Sequence, residues 1–186
     1  MRCVVPVLVL GVLLLTSATA SAINSVSHEE NGFRYFLATE RDTYYTYEYV
    51  PVEFSVTNIS GDTLDFFSPC LGIYMCVGVW DAGSPFDPEP DVVWFDGCGC
   101  FTEVTYHVLE PDGFYLREPV WDMYNLYTEQ LVFWTGTYSI EATFDAFDND
   151  YDPLGHTLWL EFELVSQAAG APGLPETWGA IKGLYR

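Results

Sequence analysis

Strict alternation of apolar and polar residues runs through most of this chain, and it limits what the chain can fold into. In "VPVEFSVT", Val50, Val52, Phe54 and Val56 fall on one face, while Pro51, Glu53, Ser55 and Thr57 fall on the other. A strand sends successive side chains to opposite sides, so this pattern marks a strand with one buried face. The same period recurs in "EVTYHV", which puts Val104, Tyr106 and Val108 toward the core and turns His107 to solvent. It recurs again in "TYSIEATF" (Tyr138, Ile140, Ala142, Phe144) and "LWLEFEL" (Leu158, Leu160, Phe162, Leu164).

"FRYFLAT", "DTLDFF" and "IYMCVGVW" are further strand candidates. Turn signals separate the runs: Gly61-Asp62, Asp81-Ala82-Gly83, Pro111-Asp112-Gly113, and Gly136 ahead of the next strand. About seven short strands with almost no helical periodicity predict an all-β fold, an immunoglobulin-like antiparallel β-sandwich in a single domain. A closed barrel is the alternative.

The ends of the chain read differently. Residues 1–22 hold one arginine, an apolar run from Val4 to Leu15 and a small-residue stretch ending Ala20-Ser21-Ala22, the pattern of a signal peptide cut before Ile23. That run is short against the roughly 20 residues a membrane span requires. The expected product is secreted or displayed at the cell surface, with residues 23–165 as the folded domain. Residues 166–175 have the small-residue and proline composition of a flexible linker.

The tail, residues 176–186, places Trp178, Ile181 and Leu184 three apart behind Thr177 as a helix cap. It is similar to short tails that close exported proteins of some bacterial lineages, which implies a sorting or anchoring signal. A frayed terminus is the competing reading.

The chain has 27 acidic and six basic residues, for a net charge of -21. Loss of Arg2 with the leader would make it one unit more negative. Such a surface repels nucleic acid and anionic lipid, leaving cations and basic proteins as the partners charge allows. The same charge also keeps an exported protein soluble. Aromatic residues make up 17% of the chain, too many for a disordered polymer.

Cys3 leaves with the leader, so Cys70, Cys76, Cys98 and Cys100 remain. An even number in an exported chain points to disulfides. Cys98 and Cys100 are one residue apart, closer than the two-to-four spacing of structural zinc pairs, and Asp96 beside them disfavours a reactive thiolate. A direct bond between them would need a sharp bend, because residues i and i+2 of a strand sit about 6.5 to 7 Å apart. Two bonds joining this pair to Cys70 and Cys76 fit better, with the connectivity open.

The three mature histidines, His28, His107 and His156, lie far apart in sequence and in no hydrolase motif, so no catalytic residue is assigned. In "DAFDNDYDPLG", Asp148, Asp150 and Asp152 repeat like the opening ligands of a calcium loop. Pro153 and Trp159 stand where such a loop needs glycine and glutamate, so a solvated acidic hairpin loop competes with calcium as the reading. In "DAGSPFDPEPDVVWF", read as a loop, Phe86, Trp94 and Phe95 either offer apolar anchors to a protein or sugar or fold back onto the core. "NIS" at 58–60 matches an N-glycosylation acceptor and also a turn.

Four blocks in order go beyond a generic β pattern: "YEYVPVEFSVTNISGDTLDFFSPC", "VGVWDAG", "HVLEPDGFYLREPVWD" and "WTGTYSIEATF". Their most specific residues are Glu48, Val50, Val56, Thr57, Asn58 and Ser60, then Asp81 and Gly83, Leu109, Pro111 and Gly113, Trp121 and Asp122, and Gly136 with Tyr138. Across residues 42 to 145 the chain resembles the BsuPI-type intracellular proteinase inhibitor domain. The resemblance implies an immunoglobulin-like sandwich whose shared residues are scaffold. This chain departs from it in its leader, its four mature cysteines and its acidic segment from Asp145 to Asp152.

Together these features predict a secreted, non-catalytic domain that binds a protein, such as a protease, and carries no cofactor. The alternative is a surface structural or adhesive module that binds calcium through the acidic loop.

Overall fold

The computed structural model describes residues 23–69, 75–81, 91–97, 103–126, 128–132 and 134–166. Fourteen strands lie within them: β1 (Asn24–Glu30), β2 (Phe33–Thr39), β3 (Thr43–Tyr45), β4 (Val50–Asn58), β5 (Leu64–Ser68), β6 (Met75–Asp81) and β7 (Asp91–Asp96), followed by β8 (Thr105–Leu109), β9 (Phe114–Arg117), β10 (Val120–Trp121), β11 (Tyr124–Asn125), β12 (Gln130–Leu131), β13 (Gly136–Phe144) and β14 (His156–Val165). The count exceeds the expected seven because five strands of two to four residues carry no readable alternation, and because β1, mostly polar and exposed, and β7, read as part of a loop, are not among the expected strands. Among the described residues no helix is long and apolar enough to cross a membrane.

Two five-stranded sheets form the layers of the sandwich. The first runs β1-β2-β4-β10, with β9 also paired to β4; the second runs β3-β14-β13-β6-β7. Every pairing in them is antiparallel except β3 on β14. The alternation of β4, β13 and β14 holds: the inward residues named above for these strands are all buried. Aromatic rings join the layers, with Tyr35 and Phe33 of β2 at 6.2 and 5.9 Å from Phe144 of β13. Burial and the nearby Glu30 carboxylate push the Tyr35 hydroxyl well above the ordinary tyrosine range, and its proton is donated to the Leu154 carbonyl at 2.5 Å.

Asn58 ends β4 as a buried hub. Its amide nitrogen donates to the carbonyls of Asp62 and Leu109, and its oxygen accepts from the Ser60 backbone and hydroxyl. Gly61, next in this turn, has φ 80, a conformation that costs glycine little. The asparagine of the glycosylation motif is therefore wholly inside, and the turn reading of "NIS" stands.

Two expectations are corrected. On β8, Tyr106 and Val108 face outward, while Leu109 is buried and the His107 ring stacks on Phe66 at 5.4 Å. The phase is reversed because, among the described residues, β8 pairs with β5 alone, in a register that sets His107 opposite the fully buried Phe66. The Ser68 hydroxyl, 2.9 Å from His107 Nε2, supplies the ring's polar contact. The second half of "DAGSPFDPEPDVVWF" is not a loop: Asp91–Asp96 is β7, the strand that follows β6 in its sheet.

Burial lowers the pKa of His107 below the usual histidine value. A lowered folded pKa means that unfolding takes up a proton, so this contribution is present above about pH 6.5 and is lost as pH falls toward the folded value. His107→Gln should therefore flatten the decline in urea midpoint between pH 7 and pH 5. Parallel slopes for the two proteins would show that His107 does not carry it.

Candidate functional site

On the outer side of the first sheet a cavity of about 430 Å³ opens at the end where β2, β4 and β10 meet. Ile23, Ala38, Pro51 and Val120 supply apolar surface, and Glu40, Glu53 and Glu118 supply three carboxyl groups. The alternation that buries Val50 and Val52 also places Pro51 and Glu53 on this outer side. Arg41 and Arg117, the basic residues adjacent in sequence to Glu40 and Glu118, both meet other groups: the Arg41 guanidinium is 3.2 Å from Glu48 and stacks over the Tyr44 ring at 4.5 Å, and that of Arg117 is 3.7 Å from the Asp96 carboxylate.

A second constellation sits on the opposite, inner side of the same sheet, at the edge where β1 approaches β14. His28 and Glu30 are two residues apart on β1 and so share a face. Their register partners on β2 are Tyr35 and Phe33, whose side chains are core. His156 comes from the other layer, as the first residue of β14. It follows Gly155, whose backbone approaches β13 so closely that a Cβ there would collide with the Phe144 carbonyl oxygen.

Glu30 Oε2 lies 3.5 Å from His28 Nε2 and 3.3 Å from His156 Nδ1. The two imidazole rings stack with centroids 4.0 Å apart and planes 11° from parallel. Among the described residues this is the group that brings three candidate metal-ligand atoms from histidine, cysteine, aspartate or glutamate within 4.8 Å of one another.

No protein-family model matches the chain, and no curated protein matches it. Solved structures show distant likenesses. The sporulation control protein Spo0M from Bacillus subtilis is 12% identical with a TM-score of 0.42, the match covering 83% of this chain and 56% of that one. The alkylpurine DNA glycosylase AlkC of Pseudomonas fluorescens, bound to DNA with an abasic-site analog, is 9% identical with a TM-score of 0.37, over 67% and 28% of the two chains. A mutant β-glucosidase from Listeria innocua in complex with laminaribiose is 15% identical with a TM-score of 0.37, over 75% and 16%. This chain thus spans little more than half of one of these proteins and less than a third of the others.

The residues singled out from sequence fall in several places. Cys70, Cys98, Cys100 and Phe86 lie outside the described residues, and Cys76 stands on β6 opposite Thr143. Trp94, on β7, packs against the core. Phe95, its neighbour, turns to the other side and meets Trp80 edge-on at 6.1 Å. Both rings thus pack within the domain.

In the acidic hairpin, Asp148 Oδ1 accepts from the backbone N–H groups of Asp150 and Asp152 at 2.8 and 2.9 Å, so it holds the turn. Those three carboxylates do not form a group like that of His28, Glu30 and His156.

The convergence of two of the three histidines was hidden by a separation of 128 positions. Only half of it had a local signal, the His-x-Glu spacing on β1.

Proposed function

We propose that this chain is an exported, non-catalytic binding module that receives a lysine or arginine side chain of a basic protein partner in the cavity of the first sheet. The observation that carries this reading is the pairing of an apolar floor (Ile23, Pro51, Val120) with three carboxyl groups (Glu40, Glu53, Glu118) around one cavity. A long basic side chain has the matching form, an aliphatic stem that gains from apolar contact and a charged head that needs carboxylates. The cavity volume also lies in the range of about 300 to 1,000 Å³ typical of ligand pockets. The overall charge of -21 supports the same class of partner, since it speeds encounter with a basic surface.

Glu53→Gln with Glu118→Gln in the mature protein should weaken binding of a lysine- and arginine-rich peptide about tenfold, the effect of losing about 1.4 kcal/mol of contact. Asp150→Asn with Asp152→Asn removes the same charge from the exposed hairpin and should change binding little. Equal losses from both pairs would mean that net charge alone is responsible and would overturn the cavity as the site. The BsuPI-type resemblance makes a protease the first partner class to try. Inhibition of a protease panel at micromolar protein, lost in the Glu53/Glu118 double variant, is the form that reading takes.

A further inference from the structure

We propose that His28, Glu30 and His156 bind one divalent transition-metal ion of the zinc class, fastening the edge of the first sheet to the start of β14 in the second. The distances carry this. At 3.5 and 3.3 Å, the two nitrogen-to-oxygen separations are longer than the 2.7–3.2 Å of a protein N–H···O hydrogen bond. They agree with the spacing of neighbouring ligands around a tetrahedral ion, which bond lengths of about 2.0–2.1 Å set near 3.3 Å.

The donor set fits the same ion. Two imidazoles with one carboxylate suit zinc, copper or nickel, whereas calcium and magnesium take oxygen ligands throughout. Three protein ligands leave a fourth position for water. The nearly parallel rings must splay modestly for both nitrogens to face one ion. Side-chain exposures of 44% for His28 and 29% for His156 leave room for that rotation.

The backbone around the site is already fixed. β1 is held along its length by β2, and the Asn24 amide donates to the Glu161 carbonyl at 2.7 Å, a second tie between β1 and β14. An ion here would add a clip between segments distant in sequence, so its binding should raise the unfolding temperature of the whole domain.

The test uses the exported chain without a histidine tag and ZnCl₂ as the probe, read by calorimetry and by thermal unfolding. The expected result is one zinc per chain with a raised unfolding temperature, and no response to CaCl₂ at the same concentration. His28→Ala, His156→Ala and Glu30→Gln should each weaken zinc binding tenfold or more. Asp148→Asn, which removes a carboxylate from the acidic hairpin, should leave it unchanged.

Zinc binding that survives His28→Ala and His156→Ala, or no zinc binding at all to a protein with wild-type circular dichroism, would overturn the proposal and leave a stacked histidine pair beside a carboxylate. The Glu53/Glu118 double variant should bind zinc normally, which separates this site from the basic-partner cavity.

Discussion

Trp121→Ala is expected to lower the free energy of unfolding by about 4 kcal/mol, the usual range for emptying a buried tryptophan site. Trp121 is the largest of the fully buried side chains among the described residues and lies on β10, a strand of only two residues at the far side of β4. So short a strand contributes little backbone pairing, and its ring holds it in place. The indole crosses to the second layer, with centroids 5.8 Å from Tyr138 and 6.3 Å from Phe162, and its N–H donates to the Tyr124 carbonyl at 3.2 Å.

Alanine would remove the interlayer packing and leave that carbonyl without its donor. Urea unfolding monitored by circular dichroism measures the loss, with an unchanged m-value showing that the same surface is exposed on unfolding. Trp159→Ala is the control, since its ring is half exposed on the outer side of β14 and should cost much less. Equal effects from the two substitutions would mean that Trp121 does not join the layers.

The residues that could be read from sequence are those whose structural role repeats every second position. β4, β13 and β14 each offer one face to the other layer over nine or ten residues, so their hydrophobic pattern and burial coincide. β8 defeats that reading because it has five residues and, among the described residues, one partner, and the face it buries is chosen by Phe66 across the ribbon. Tyr106 and Val108 look more apolar than His107, yet His107 lies against Phe66.

β7 was obscured by the prolines and aspartates before it, although "VVWF" has strong strand propensity. The cavity and the histidine cluster were less legible still. Each is assembled from strands brought together by sheet pairing, and neither has its residues in one stretch of chain. Sequence could mark His28 and Glu30 as neighbours on one face, but His156 reaches them only through the packing of β1 against β14.

Asn58→Ala should cost about 3 kcal/mol, more than an ordinary surface polar substitution, because it strands several groups at once. The side chain is fully buried and makes four hydrogen bonds, two given and two received, which is all an amide can conveniently make. Those bonds tie the turn after β4 to the end of β8, so the loss would fall on the join between β4 and the β5-β8 ribbon.

Asn58→Asp separates hydrogen bonding from shape. An aspartate keeps the acceptor facing Ser60 but sets a second oxygen against the Asp62 and Leu109 carbonyls, which the amide meets at 2.7 and 2.8 Å. Burial and those carbonyls favour its protonated form, raising its folded pKa above the unfolded value near 3.9. The neutral acid can donate to one carbonyl, so the penalty relative to wild type should be largest at pH 7 and shrink as pH falls toward 4. Ser60→Ala, which removes one hydroxyl from the same network, should cost only about 1 kcal/mol. A pH-independent Asn58→Asp penalty, or one no larger than that of Ser60→Ala, would mean that the asparagine fills space at this junction without holding it by its hydrogen bonds.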